Sequence, residues 1–259
     1  LSASGSTAKN VVYLDDLTAQ LNEHDYIRAQ GTIGVRAPHA YNGNLAVHVT
    51  DLGTFESALR ALGHPAKLAG ALAINWEGQG ALSNFQNSGK LKLTLEKGRF
   101  AELNKLEATV DANYSPNELN IPIVYFSSDK LMFQTVMQAK GRTLEATKIQ
   151  IDQGQAKYAA GYVSIPFVWG NLGTDKPLFD PERKVLINLQ TENLDLKKLA
   201  KDLGTTAPVS GLANLKPDAG GRIKDLEATL GLEWAGLRAD RARDVRAGTV
   251  ALKGRMWTQ

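Results

Sequence analysis

Along most of this chain apolar and polar residues alternate with period two, and turn residues interrupt the alternation at short intervals. That pattern belongs to antiparallel strands with one dry face and one wet face. It predicts strands over 11–21, 26–36, 45–49, 68–76, 91–95, 103–112, 119–126, 131–138, 143–151, 157–165, 185–191 and 223–234. Hairpin-length turns separate them at Asn113-Tyr114-Ser115-Pro116-Asn117, Ser127-Ser128-Asp129-Lys130, Ala139-Lys140-Gly141-Arg142 and Asp152-Gln153-Gly154-Gln155. Gly78-Gln79-Gly80 reads as one more hairpin turn. Helical spacing occurs twice. Phe55, Leu59 and Leu62 follow a Thr54 cap and precede Gly63, and Leu196, Leu199, Ala200 and Leu203 follow Asp195 and precede Gly204.

The two helical segments also mark an internal repeat. A shift of 141 residues places Phe55 on Leu196, Leu62 on Leu203, Gly63 on Gly204, Gly70 on Gly211, Gly80 on Gly221 and Leu82 on Ile223. Each copy reads as a strand, a short amphipathic helix, a strand of small residues, then a meander that starts at a glycine-rich turn. The expected organisation is one continuous repetitive region over 1–259, with repeat units near 45–110 and 186–251.

A dozen one-sided strands present a long apolar face, and each short helix shields only a strip about 10 Å wide. Something else has to cover the remainder. The sheet can fold onto itself as a sandwich or barrel. Alternatively it can remain an open trough whose dry side takes hydrocarbon, at roughly 25 cal/mol per Å² buried. Residues of one parity supply that side: Leu72, Ile74 and Trp76; Leu91, Leu93 and Leu95; Thr147, Ile149 and Ile151; and Leu226, Ala228, Leu230, Leu232 and Trp234. An aromatic content of 7% provides little of the bulk that usually fills a sandwich, although Leu, Ile and Val can fill one too.

Composition narrows the partners. Lys+Arg 30 against Asp+Glu 27 leaves a net charge of +3, spread along the chain, so no electrostatic footprint for nucleic acid stands out. Apolar residues at 43% and charged residues at 22% describe a folded chain. The absence of cysteine excludes disulfides and thiol chemistry, and suits an oxidising compartment as well as the cytosol. No apolar run approaches the roughly 18 residues of a membrane span. The start Leu1-Ser2-Ala3-Ser4-Gly5-Ser6 reads as that of a fragment or mature segment.

The run Ala207-Pro208-Val209-Ser210-Gly211-Leu212-Ala213, followed by Gly220-Gly221-Arg222-Ile223-Lys224-Asp225-Leu226-Glu227-Ala228-Thr229-Leu230, resembles the repeats of AsmA-like proteins, including the TamB (translocation and assembly module) branch. Leu194-Asp195-Leu196-Lys197-Lys198-Leu199 is similar to the strand and helix that introduce those repeats. The stretch from Phe55 through Lys67-Leu68-Ala69-Gly70-Ala71-Leu72 to Ser88-Gly89-Lys90-Leu91-Lys92-Leu93 repeats the likeness. The resemblance implies an all-β fold: an elongated, curved antiparallel sheet (β-taco or repeating β-groove) with two short amphipathic helices. It also implies a periplasmic segment of an inner-membrane-anchored protein, implicated in phospholipid transport between the two membranes and in outer-membrane biogenesis. Its partners would be phospholipid acyl chains and, through the parent chain, an outer-membrane barrel. This sequence departs from the full family pattern in lacking the anchor helix and the C-terminal domain that meets a barrel.

Candidate chemistry is sparse. His24, His39, His48 and His64 sit in four separate segments with no metal-binding spacing. Gly78-Gln79-Gly80 lacks the third glycine and the strand-to-helix context of a phosphate loop. There is no Gly-x-Ser-x-Gly elbow. Arg238, Arg241, Arg243 and Arg246 offer guanidinium forks that match phosphate geometry, or else form a solvated face with ion pairs. Tyr158, Tyr162, Phe167 and Trp169 are expected to pack locally at a strand end or to line the trough. The expectation is therefore a non-enzymatic lipid-binding groove without a cofactor, formed by Leu72, Ile74, Trp76, Leu91, Leu93, Ile149, Ile151, Leu230, Leu232 and Trp234. The rivals are a closed β-sandwich scaffold or adhesin without lipid, and a polysaccharide-acting enzyme whose carboxylate pair is assembled from distant positions.

Overall fold

The computed structural model describes residues 1–20, 22–61, 63, 67–82, 87–100, 103–129, 131–153, 156–198, 209–222, 225–239 and 245–256. The first seven strands are β1 (Ser2–Ala8), β2 (Val11–Gln20), β3 (Tyr26–Gly34), β4 (Ala40–Val49), β5 (Leu68–Ala81), β6 (Ser88–Phe100) and β7 (Leu103–Ser115). They are followed by β8 (Glu118–Ser127), β9 (Met132–Lys140), β10 (Thr143–Gln153), β11 (Ala156–Ile165) and β12 (Lys184–Gln190). The last are β13 (Leu194–Asp195), β14 (Val209–Arg222), β15 (Asp225–Ala239) and β16 (Val245–Met256). Neighbours in sequence are neighbours in the sheet, except that the two-residue β13 pairs with β14 beside the main path. The class expected from the alternation is the class observed: all-β, one large antiparallel sheet. The sheet does not close, because β1 and β16 end its strand order and do not pair with each other. A closed barrel is thereby excluded.

By its internal contacts the chain divides into two compact units. One comprises 1–129, 137–141 and 168–178, and the other comprises 130–136, 142–167 and 179–259.

Several local expectations need correction. Gly78-Gln79-Gly80 is not a turn but the interior of β5, paired with Tyr41, Asn42 and Gly43 of β4. Gly221 likewise lies within β14 rather than at a turn. Asn113, Tyr114 and Ser115 continue β7, and only Pro116 and Asn117 turn. Strands β1 and β16 carry too few large apolar residues to announce themselves by alternation. The first helix begins earlier than Thr54: a 3-10 turn over Leu52–Phe55 is capped by Asp51, whose carboxylate accepts the Gly53 N–H at 2.8 Å, and α1 (Glu56–Ala61) follows. The second expected helix starts at Leu196, and its remainder lies outside the described residues.

Two of the glycines that suggested the 141-residue shift have matching local geometry. β5 and β14 are both fourteen residues long, and the third residue of each is a glycine with positive φ: +107° at Gly70 and +132° at Gly211. In both strands the register with the following strand slips at that glycine, which marks a β-bulge. A Cβ at Gly70 would sit 2.6 Å from Gly98 Cα and 2.7 Å from the Glu96 carbonyl oxygen, so only glycine fits.

The chain leaves an unusually large surface in water. Its accessible area is 16768 Å², whereas a compact protein of 28.0 kDa exposes about 11,000 Å². Among the described residues few large apolar side chains are buried, the main ones being Val49, Leu106, Tyr158, Val185 and Leu194. Stability therefore rests mainly on strand pairing and on half-buried cross-strand contacts.

Candidate functional site

Directly opposed residues in an antiparallel pair share a face, so the registers reveal what each face carries. In the first unit one row runs Ala19, Ile27, Val47, Ile74, Leu93, Val110, Val124 across seven consecutive strands, β2 to β8. A second row on the same face runs Leu17, Ala29, Leu45, Trp76, Leu91, Ala112. A third runs Val49, Leu72, Leu95, Ala108, Phe126. The five site residues expected in this unit thus stand side by side: Leu72 beside Leu95, Ile74 opposite Leu93, and Trp76 opposite Leu91. All five are half-buried. α1 is only six residues long, too short to roof rows of this width.

The opposite face of the same strands is mainly polar, although Ile123, the partner of Asp111 and 48% exposed, stands on it. There Gln30, Asn44, Glu77, Lys90, Asn113 and Asn120 are successive cross-strand partners. The unit has one oily side and one wet side, as the period-two pattern requires.

The apolar rows end at a lane of missing side chains. Gly31, Gly43, Gly78 and Gly89 are consecutive partners on four strands, and Tyr114 follows on the fifth. The Trp76 ring and the Tyr114 hydroxyl fill this space at Gly78 and Gly89: a Cβ at Gly78 would lie 2.5 Å from Trp76 Cζ2 and 2.8 Å from Tyr114 Oη, and one at Gly89 2.7 Å from Tyr114 Oη. The indole Nε1–H of Trp76 donates to Tyr114 Oη at 2.7 Å. Tyr41 stacks on Trp76 with ring centroids 6.3 Å apart. Burial pushes the Tyr41 phenol above its usual pKa, with the neighbouring Tyr114 adding to the shift.

In the second unit the apolar face is built the same way. Ala146, Val163, Ile187, Ala219 and Ala228 form one row over β10, β11, β12, β14 and β15. Ile149 and Ile151 pair with Gly161 and Ala159. Leu230, Leu232 and Trp234 pair with Pro217, Leu215 and Ala213 on one side and with Leu252, Val250 and Gly248 on the other. Leu252 is 60% exposed and Val250 38% on the edge strand β16, so this face too ends without a cover. The other face carries Asn188, Asp218, Thr229 and Lys253 as successive partners. Leu186, 43% exposed, interrupts its polarity.

The aromatic residues of the third quarter of the chain do not form one cluster. Tyr158 is buried, Phe167 meets Phe179 edge to face at 5.7 Å, and Trp169 Nε1–H donates to the Ser115 carbonyl at 2.8 Å. Tyr162 lies on the polar side of the second unit, beside Asn188. The side chains of Arg238, Arg241, Arg243 and Arg246 lie outside the described residues. Of the histidines, His48 stacks on Tyr26 and His39 Nδ1 lies 3.1 Å from the Gly34 carbonyl. No group of three or more metal-ligating side chains converges among the described residues.

One buried carboxylate has a structural task. Asp25, 1% exposed, receives the Thr50 backbone N–H and hydroxyl, each at 2.6 Å, and the Asn22 side-chain amide at 2.6 Å. These bonds, the Thr50 hydroxyl foremost, hold its pKa below the ordinary carboxylate value. They tie the β2–β3 hairpin to the end of β4.

Leu45, Val47, Val110 and Tyr114 belong to the apolar face of the first unit and were missed in the sequence. Their parity was readable, but assigning them to the same patch as Ile74 requires the register. Compared with family models, curated proteins and solved structures, the chain gives no significant match to any of them.

Proposed function

We propose that the chain is a non-enzymatic lipid-binding segment of a Gram-negative envelope protein. In this reading acyl chains lie along the apolar rows, headgroups remain in water, and phospholipid moves between inner and outer membranes by diffusion along the groove. Its place would be the periplasm, within an inner-membrane-anchored parent whose further partner is an outer-membrane barrel. The observation that carries the reading is the row Ala19–Ile27–Val47–Ile74–Leu93–Val110–Val124, half-buried throughout, with two companion rows that are half-buried except at Val49 and Ala112; among the described residues no second sheet layer of the unit lies over them.

The physical argument is one of matching. Seven strands at about 4.8 Å spacing give an oily strip roughly 29 Å across, enough for an extended acyl chain. Each buried methylene contributes about 0.8 kcal/mol, so a long chain supplies several times the free energy that a soluble metabolite would find on so bare a surface. The likeness of the Gly211 and Gly70 segments to AsmA-like repeats supports the same assignment. The unclosed sheet favours it over a closed scaffold.

The test pairs lipid content with a charge change. Wild-type protein and the Ile74→Asp/Leu93→Asp variant are purified identically and their bound lipid is quantified by mass spectrometry. Placing two carboxylates against hydrocarbon costs several kcal/mol, so the variant should retain less than a tenth of the wild-type lipid while its circular dichroism stays that of a β-sheet. Equal lipid in a folded variant would refute the site.

A further inference from the structure

We infer that the polar face of the first unit carries a second binding site, fitted to a neutral, hydroxyl-rich chain such as a linear glycan. It lies on the side of the sheet opposite the apolar rows and is independent of the lipid proposal. A depression of about 490 Å³ opens there, lined by Asn42, Asn44, Glu77, Gln79, Lys90 and Asn113 together with Ser88, Tyr114 and three glycines of the lane, Gly43, Gly78 and Gly89.

Three features select the ligand. The first is donor and acceptor capacity: four carboxamides converge, and among the described residues the side chains of Asn42, Asn44, Gln79 and Asn113 make no hydrogen bond to another protein group. A carboxamide offers two N–H donors and one carbonyl acceptor. A sugar hydroxyl, which both donates and accepts, satisfies either end, and a vicinal pair satisfies both at once.

The second feature is charge. Among the described residues the one cation lining the depression, Lys90, already sits 3.4 Å from the Glu77 carboxylate, so this lining has no net charge to hold a phosphate or a carboxylate. The third is extent and chemistry of the floor. The polar row, four carboxamides flanking the Glu77–Lys90 pair, continues beyond the depression through successive partners from Gln30 to Asn120, about 4.8 Å per strand. An extended polymer with repeating hydroxyls follows such a row, each hydroxyl meeting a carboxamide donor or acceptor.

The probes are cellotetraose, chitotetraose and inorganic phosphate, each titrated at millimolar concentration into the ¹⁵N-labelled 259-residue chain. At least one of the neutral tetrasaccharides should shift the side-chain amide signals of Asn42, Asn44, Gln79 and Asn113, and phosphate should not. The Asn44→Ala/Gln79→Ala variant replaces two exposed polar residues. It should keep the wild-type circular dichroism and thermal midpoint and lose at least tenfold in affinity for that sugar. Absence of any tetrasaccharide response, an equal response to phosphate, or undiminished affinity in the variant would each overturn the inference. Lipid content plays no part in these readouts, so the two proposals fail separately.

Discussion

Replacing glycine by alanine inside a strand ordinarily stabilises a protein, because the unfolded chain loses more freedom, by about 0.5–1 kcal/mol. At Gly78 the structure requires the opposite sign. The new methyl would stand 2.5 Å from Trp76 Cζ2 and 2.8 Å from Tyr114 Oη. Neither group is free to swing aside, since the indole N–H is bonded to that hydroxyl at 2.7 Å and Tyr41 stacks on the indole. Overpacking of this kind costs about 1–3 kcal/mol, and the lost hydrogen bond adds about 1 kcal/mol. Gly78→Ala should therefore destabilise the chain by about 1–3 kcal/mol after the entropic gain is subtracted. Urea denaturation followed by tryptophan fluorescence measures it. A second arm isolates the cause: Tyr114→Phe should cost about 1 kcal/mol in the wild type and almost nothing in the Gly78→Ala background, where the bond is already broken. A neutral or stabilised Gly78→Ala variant would refute the view that the aromatic pair occupies the glycine lane.

Two further outcomes follow from the fold. Gly70→Ala combines a φ of +107° with backbone atoms under 3 Å from the added methyl, so it should cost at least 2 kcal/mol on the scale of strained backbone sites; Gly141→Ala, at φ +60° with open space around it, should cost no more than about 1–2 kcal/mol, and equal denaturation midpoints would contradict the bulge. Asp25 has a lowered native pKa, so its bonds stabilise the chain fully above the unfolded carboxylate pKa of about 3.9, and that stabilisation is lost as pH falls through the lower native value. Asp25→Asn should accordingly melt below wild type at pH 7, and the gap should narrow as pH falls from the unfolded carboxylate pKa through the lower native one; a difference independent of pH would show that the carboxylate charge is not what Thr50 holds.

The alternation made the strands legible because a one-faced sheet leaves its period in the sequence. It failed where large apolar residues are few. In β1, Ser2 to Ala8 are all small, and in β5 the alternation past Trp76 passes into Gly78 and Gly80, which resemble turn residues. Gly78 is a strand residue whose missing side chain leaves room for the Trp76 ring and the Tyr114 hydroxyl, and no local pattern records a Trp76 partner 38 residues distant. The shared face was legible by parity: Leu72, Ile74, Trp76, Leu91 and Leu93 fall on one side of the sheet. What parity could not supply was register, which brings in Val47, Leu45 and Val110 and shows the rows to be contiguous. Nor could it foresee that Ile149 and Ile151 pair with the small residues Gly161 and Ala159, whereas Leu230 and Leu232 pair with the larger Pro217 and Leu215.

The claim on which the account rests is that hydrocarbon contacts one parity of β5 and β6 and not the other. A photoreactive phenylalanine analogue introduced singly at Ile74, Leu91 and Leu93, and at Asn75, Lys90 and Lys92 on the opposite face, tests it in cells. The account predicts phospholipid adducts at the first three positions and none above background at the second three. Adducts of equal yield on both faces, or on the polar face alone, would contradict it.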